Sequence, residues 1–105
     1  MALTHLTKSD FDQAVNAGDD LVVVDFFATW CGPCKMLAPA VERAAEQHSE
    51  VHFYKVDIDE EADLASRFAI MSVPTLLYFK KGQVVSKSIG LVSPGELEKE
   101  IGKNK

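Results

Sequence analysis

Residues 21–28, Leu-Val-Val-Val-Asp-Phe-Phe-Ala, form a continuous apolar run with one charge inside it, Asp25. Such a run reads as a central strand buried on both faces, not as a half-exposed strand of alternating character. A strand of that kind requires neighbours along both edges and helices above and below. The rest of the chain supplies them in order. Leu3 to Leu6 is a short strand candidate. Thr7 or Ser9 is placed to cap a first helix with Phe11 and Val15 on one face and Gly18 at its end. After the central strand, Leu37, Ala40, Val41, Ala44, Ala45 and His48 follow the spacing of an amphipathic helix, with Pro39 inside it predicting a kink.

Val51 to Asp57 reads as another strand, and Glu60 to Phe68 as a short helix with Leu64 and Phe68 inward. Thr75–Phe79 and Val84–Ile89 are strands joined by Lys80-Lys81-Gly82-Gln83. So short a joint demands an antiparallel hairpin. Ser93-Pro94-Gly95-Glu96 is a capping box with proline at the first helical position. Leu97 and Ile101 then lie one turn apart. The order is β-α-β-α-β-α-β-β-α. This predicts an α/β fold with a central mixed five-stranded sheet, flanked by four helices on both faces.

The chain has 105 residues, no repeats and no linker-like stretch, so residues 1–105 read as a single domain. Its composition, 47% hydrophobic and 26% charged, is ordinary for a soluble globular protein. The net charge of −5 argues against a nucleic-acid partner, for which a basic patch is expected. No apolar stretch approaches the ~20 residues of a membrane span. The first residues show neither a basic region nor an apolar signal core, so a cytoplasmic location is expected.

Both cysteines lie in Trp30-Cys31-Gly32-Pro33-Cys34-Lys35, between the central strand and the long helix. A disulfide closing so short a loop is a poor staple, because stabilisation grows with loop length. A structural zinc site needs four Cys or His ligands. There is no second Cys pair, and His5, His48 and His52 show no ligand spacing. Redox exchange is the reading favoured over both, and no metal site is expected. Two cysteines alone also suit a reducing compartment. Cys31 falls at the helix start, where unpaired amides favour an anion, so it reads as the reactive thiolate. Cys34, one turn on, is expected to be the more buried. Gly32 leaves room for an approaching sulfur, and Pro33 stiffens the first turn.

The segment Asp25-Phe26-Phe27-Ala28-Thr29-Trp30-Cys31-Gly32-Pro33-Cys34-Lys35-Met36 resembles the active-site segment of the thioredoxin family. The likeness extends over the chain through Pro39, Lys55-Val56-Asp57, Val73-Pro74-Thr75, the Lys81-Gly82 turn and Gly90. It implies the thioredoxin fold and general protein-disulfide reduction. Cys31 would attack a client disulfide and Cys34 would resolve the mixed disulfide. No cofactor would be bound beyond the redox-active disulfide Cys31–Cys34. Electrons would come indirectly from NADPH through a flavoprotein thioredoxin reductase, or from a ferredoxin-linked one in plastids. The partners would be that reductase and disulfide-containing client proteins, and nothing demands more than a monomer.

Asp25 is a carboxylate inside a buried strand, where desolvation raises its pKa and lets it accept a proton at neutral pH. The resemblance implies that this proton comes from Cys34. Lys55 resembles the family's lysine near that carboxylate. The resemblance also implies a cis Val73–Pro74 bond facing the cysteines, whose preceding backbone would bind an extended client segment. Trp30, Gly32, Pro33, Val73 and Gly90 would form a modest apolar surface around Cys31.

Phe27, Met71 and Ser72 depart from the family's common tryptophan, basic residue and glycine. Two rival functions remain. A disulfide isomerase or oxidase often carries histidine between its cysteines, where Pro33 stands here. A non-catalytic subunit would use the same surface only to hold a partner.

Overall fold

The computed structural model describes residues 3–105. Among the described residues nine elements follow one another: β1 (Thr4–His5), α1 (Phe11–Val15), β2 (Val22–Phe27), α2 (Gly32–Gln47), β3 (His52–Asp57), α3 (Ala62–Arg67), β4 (Thr75–Lys80), β5 (Gln83–Ile89) and α4 (Pro94–Asn104). The sheet order is β1-β3-β2-β4-β5. β1 and β2 run parallel to β3, while β4 is antiparallel to both β2 and β5. The mixed five-stranded sheet with four helices is therefore the expected one.

β2 lies at the centre, and its alternating side chains serve two cores. Val22, Val24 and Phe26 join Phe11 and Val15 of α1 and Leu64 of α3. Val23 faces the other way, with Leu37 and Val41 of α2 and Leu97 and Ile101 of α4. This two-sided demand is why the run carries almost no polar residue. Phe68 closes the first core although it stands one residue past α3. Its ring lies 5.2 Å from Phe11, 6.0 Å from Phe26 and 5.6 Å from Phe79. Phe68 is only half-buried, so it contributes less than the ~1.5–3 kcal/mol of a fully buried phenylalanine.

The local signals hold with corrections. Ser93 accepts from the Glu96 amide while the Glu96 carboxylate accepts from the Ser93 amide, the reciprocal cap read from sequence. Lys81 and Gly82, with φ of 53° and 76°, turn the hairpin as a two-residue loop of the primed type. α1 is shorter than expected. Asp10, not Thr7 or Ser9, precedes it, and the Asp10 carboxylate reaches back to the Thr7 amide rather than capping the helix. The helix stops at Val15. Gly18 (φ 63°) turns the chain later, where its carbonyl accepts from the Lys81 amide. α2 spans Gly32–Gln47 with Pro39 inside it.

Pairing of β2 with β3 sets Asp25 opposite Lys55, and pairing with β4 sets it opposite Leu76. Asp25 follows Val23 by two residues, so it shares the sheet face covered by α2.

Candidate active site

The cysteines sit where β2 ends and α2 begins. Cys31 is the N-cap of α2 in extended conformation, and Pro33 occupies the first turn, where its missing amide costs nothing. The Cys34 amide donates to Cys31 Sγ at 3.1 Å, the direction that stabilises negative charge on that sulfur. The two sulfurs are joined as a disulfide, with a Cα–Cα separation of 5.3 Å. Gly32 leaves open space where a Cβ would stand, so nothing crowds the sulfurs from that side.

One expectation is corrected. Cys34 is not the more buried cysteine, since both are 4% exposed. Cys31 packs with Ala28 and against Val73, in the same small apolar cluster as Cys34.

Asp25 is 4% exposed, and its Oδ1 makes no hydrogen bond. Burial pushes its pKa up to about 7, against the weaker opposing pull of the Lys55 ammonium. Lys55 does not bond to Oδ1. Its Nζ lies over the Phe27 ring, 5.3 Å from the centroid. Asp25, Lys55 and Cys34 line one pocket of about 270 Å³, together with Phe27, Thr29 and Lys35. The pocket is large enough to hold water. A carboxylate half-protonated near neutrality therefore shares a cavity with Cys34.

On the other side of the pair, the Val73–Pro74 bond is cis, as the resemblance implied. The Val73 carbonyl oxygen lies 3.7 Å from Cys31 Sγ. Two bonds hold this loop. Thr75 Oγ1 donates to the Ser72 carbonyl at 2.8 Å, and the Gly90 amide donates to the Pro74 carbonyl at 2.8 Å. Gly90 (φ 87°) has a backbone that other residues rarely adopt. Trp30 is 68% exposed, and Gly32 and Pro33 are exposed beside it.

Two contributors were missed by the sequence reading. Asp59 carries no motif that marks it in the sequence, yet its Oδ2 accepts from the Trp30 indole at 2.9 Å and fixes the exposed ring. The Asp57 carboxylate accepts from the amides of Asp59 and Glu60 and so ties down the turn that leads into α3. The anchoring by Thr75 was also missed. A threonine after the proline, able to reach a backbone carbonyl three residues back, was the available signal.

A cysteine pair at a helix start, a buried carboxylate behind it and a cis-proline loop in front of it are the parts of a dithiol exchange site. A thioredoxin family model matches residues 2–103. The chain belongs to the thioredoxin family. Thioredoxin-2 of Saccharomyces cerevisiae is 49% identical over 98 residues, covering 93% of each chain. Thioredoxin-1 of the same yeast is 49% identical over 104 residues, covering 99% of each. The X-ray structure of Fasciola hepatica thioredoxin superposes with a TM-score of 0.92 at 36% identity, covering 98% of this chain and 100% of that one. Thioredoxins are dithiol/disulfide oxidoreductases, and this chain carries their cysteine pair as a redox-active disulfide.

Proposed function

We propose that the chain reduces client protein disulfides through the following division of labour. The Cys31 thiolate attacks one sulfur of the client disulfide. A mixed disulfide forms, and the first client thiolate leaves and takes a proton from water. Asp25 accepts the proton of the Cys34 thiol, directly or through water in the shared pocket. The Cys34 thiolate then attacks Cys31 Sγ and displaces the second client thiolate. The client gains two electrons, and Cys31–Cys34 is left as a disulfide.

The observation that carries this reading is the shared pocket of Asp25 and Cys34, with the Asp25 pKa at about 7. A general base works best when its pKa lies near the operating pH. Lys55 tunes that base by favouring its charged form. The client segment lies against the Val73–Pro74 backbone in extended conformation, with Trp30, Gly32, Pro33 and Gly90 as its rim. An NADPH-dependent flavoprotein reductase returns the disulfide to the dithiol, and the protein acts as a monomer in a reducing cytoplasm.

The test is a trapping experiment with the pre-reduced protein and a disulfide-bonded client. Wild type is expected to return to the disulfide and release a client dithiol. Cys34→Ser is expected to stall as a mixed disulfide through Cys31, and the double serine variant to reduce nothing. Client reduction by the double variant, or failure of Cys34→Ser to trap any client, overturns the reading.

A further inference from the structure

A second surface feature adjoins the cis-proline loop. Between the turn that follows α3 and the edge strand β5 lies a groove of about 110 Å³. Phe68, Met71 and Ile89 line it, and so does Ser72, the residue before Val73. Met71 is 92% exposed, more than any other large apolar side chain of the described residues. Lys87 stands on the rim. Lys8, Lys81, Lys103 and Lys105 each pair with a carboxylate. Among the described residues Lys87, like Lys35, Lys55, Lys80 and Lys99, forms no salt bridge, in a chain whose net charge is −5.

We propose that Lys87 and this groove are a specificity subsite, which selects client segments carrying an apolar residue and a carboxylate close to the reacting half-cystine. The inference rests on the client-binding reading of Val73 and Pro74. Continuity is the first argument. Ser72 lines the groove and directly precedes Val73, so an extended client paired with that loop runs on over the groove. Alternate side chains of an extended segment recur every ~6.6 Å on one face. On that spacing the proposal seats a client residue two positions from its cysteine in the groove while the cysteine meets Cys31. Size is the second. A closed cavity of about 150 Å³ accepts benzene, so this smaller groove suits one aliphatic side chain. Charge is the third: an unpaired ammonium at the rim attracts a carboxylate and repels a lysine.

The edge position of β5 offers a competing role for Lys87. Lysines on edge strands oppose pairing with a second sheet. In that case Lys87 would govern association of two copies and leave client choice untouched.

The experiment uses three disulfide-linked peptides, identical except for Glu, Gln or Lys beside a leucine two residues from the half-cystine. Hydroxyethyl disulfide serves as a small uncharged control. In wild type at physiological salt, kcat/KM is expected to fall in the order Glu, Gln, Lys by about threefold per step, the size of an exposed ion pair. Lys87→Glu is expected to reverse the order without changing the rate on the small disulfide. Lys99→Glu, which alters net charge equally from α4, is expected to leave the order as in wild type. The proposal is overturned if Lys87→Glu keeps the wild-type order, if Lys99→Glu shifts it as much, or if Lys87→Glu dimerises with selectivity unchanged. Failure of wild type to reduce even the small disulfide overturns the reductase reading and this one together.

Discussion

Replacing Asp25 with asparagine is expected to stabilise the protein by an amount that grows with pH. In the folded state Asp25 is buried and its pKa lies at about 7, against an ordinary 3.8. Below the ordinary value both folded and unfolded chains hold the proton, and the carboxyl costs nothing extra. As pH rises from there, the unfolded chain gives up the proton while the folded one keeps it. Stability then falls by about 1.36 kcal/mol per pH unit until the folded carboxyl itself ionises near neutrality. Across that interval the loss reaches about 4 kcal/mol, an upper figure because water entering the pocket softens it. Asparagine has the shape of the protonated acid and never ionises. Variant and wild type should therefore match near pH 4 and diverge to that limit near pH 8. Urea unfolding of the oxidised proteins at several pH values reads this directly. With a slope of about 2 kcal/mol per molar, the midpoints should separate by about 2 M at the alkaline end. A difference that stays flat from pH 4 to pH 8 would refute the desolvated carboxylate, and with it the argument for Asp25 as a base.

Two further outcomes follow from the same geometry. Lys55→Met removes the one charge that lowers the Asp25 pKa. The pH of half-maximal mixed-disulfide resolution should then move upward, and a downward move would sink the tuning role given to Lys55. Ala69→Gly should stabilise the fold. Ala69 (φ 54°) stands just past α3, where the Ile70 amide donates to the Ala65 carbonyl and the Ala69 amide to that of Ser66. That pattern favours glycine in the left-handed position. Relief of the Cβ clash is worth roughly 1 kcal/mol, or about 4 °C in Tm, and an unchanged Tm in thermal unfolding refutes the strain.

The sequence made the sheet legible because its strongest signals are local and periodic. The run around Val23 cannot be satisfied on a surface, Lys81-Gly82 turns only one way, and Ser93 and Glu96 complete each other's hydrogen bonds. α1 was misplaced because Thr7, Ser9 and Asp10 are all competent caps. The choice among them was made by the Asp10 carboxylate bonding to the Thr7 amide. The cysteines were legible as a pair, yet their relative burial was not. It depends on what packs over Cys31, and Val73 comes from 42 residues further along. Asp59 was hidden for the same reason, since its indole partner lies 29 residues away. The groove beside Lys87 is assembled from the loop after α3, from β4 and from β5, so no local pattern announces it.

The electrostatics of the pair are thus a consequence of strand register. Side chains of a strand alternate between faces, so a one-residue slip of β2 would carry Asp25 to the opposite core, among Phe11 and Leu64, and set a valine or phenylalanine behind Cys34. The slip is opposed from both sides, because β2 is held by β3 and β4 at once. It would also force Val22, Val24 and Phe26 out of the core they fill with α1 and α3. The hydrophobic pattern that builds the sheet is therefore what holds an unfavourable carboxylate beside Cys34. Its cost, at most about 4 kcal/mol at alkaline pH, is a sizeable share of the 5–15 kcal/mol by which domains are usually stable. That is tolerable only in a strand that is otherwise apolar on both faces, as this one is.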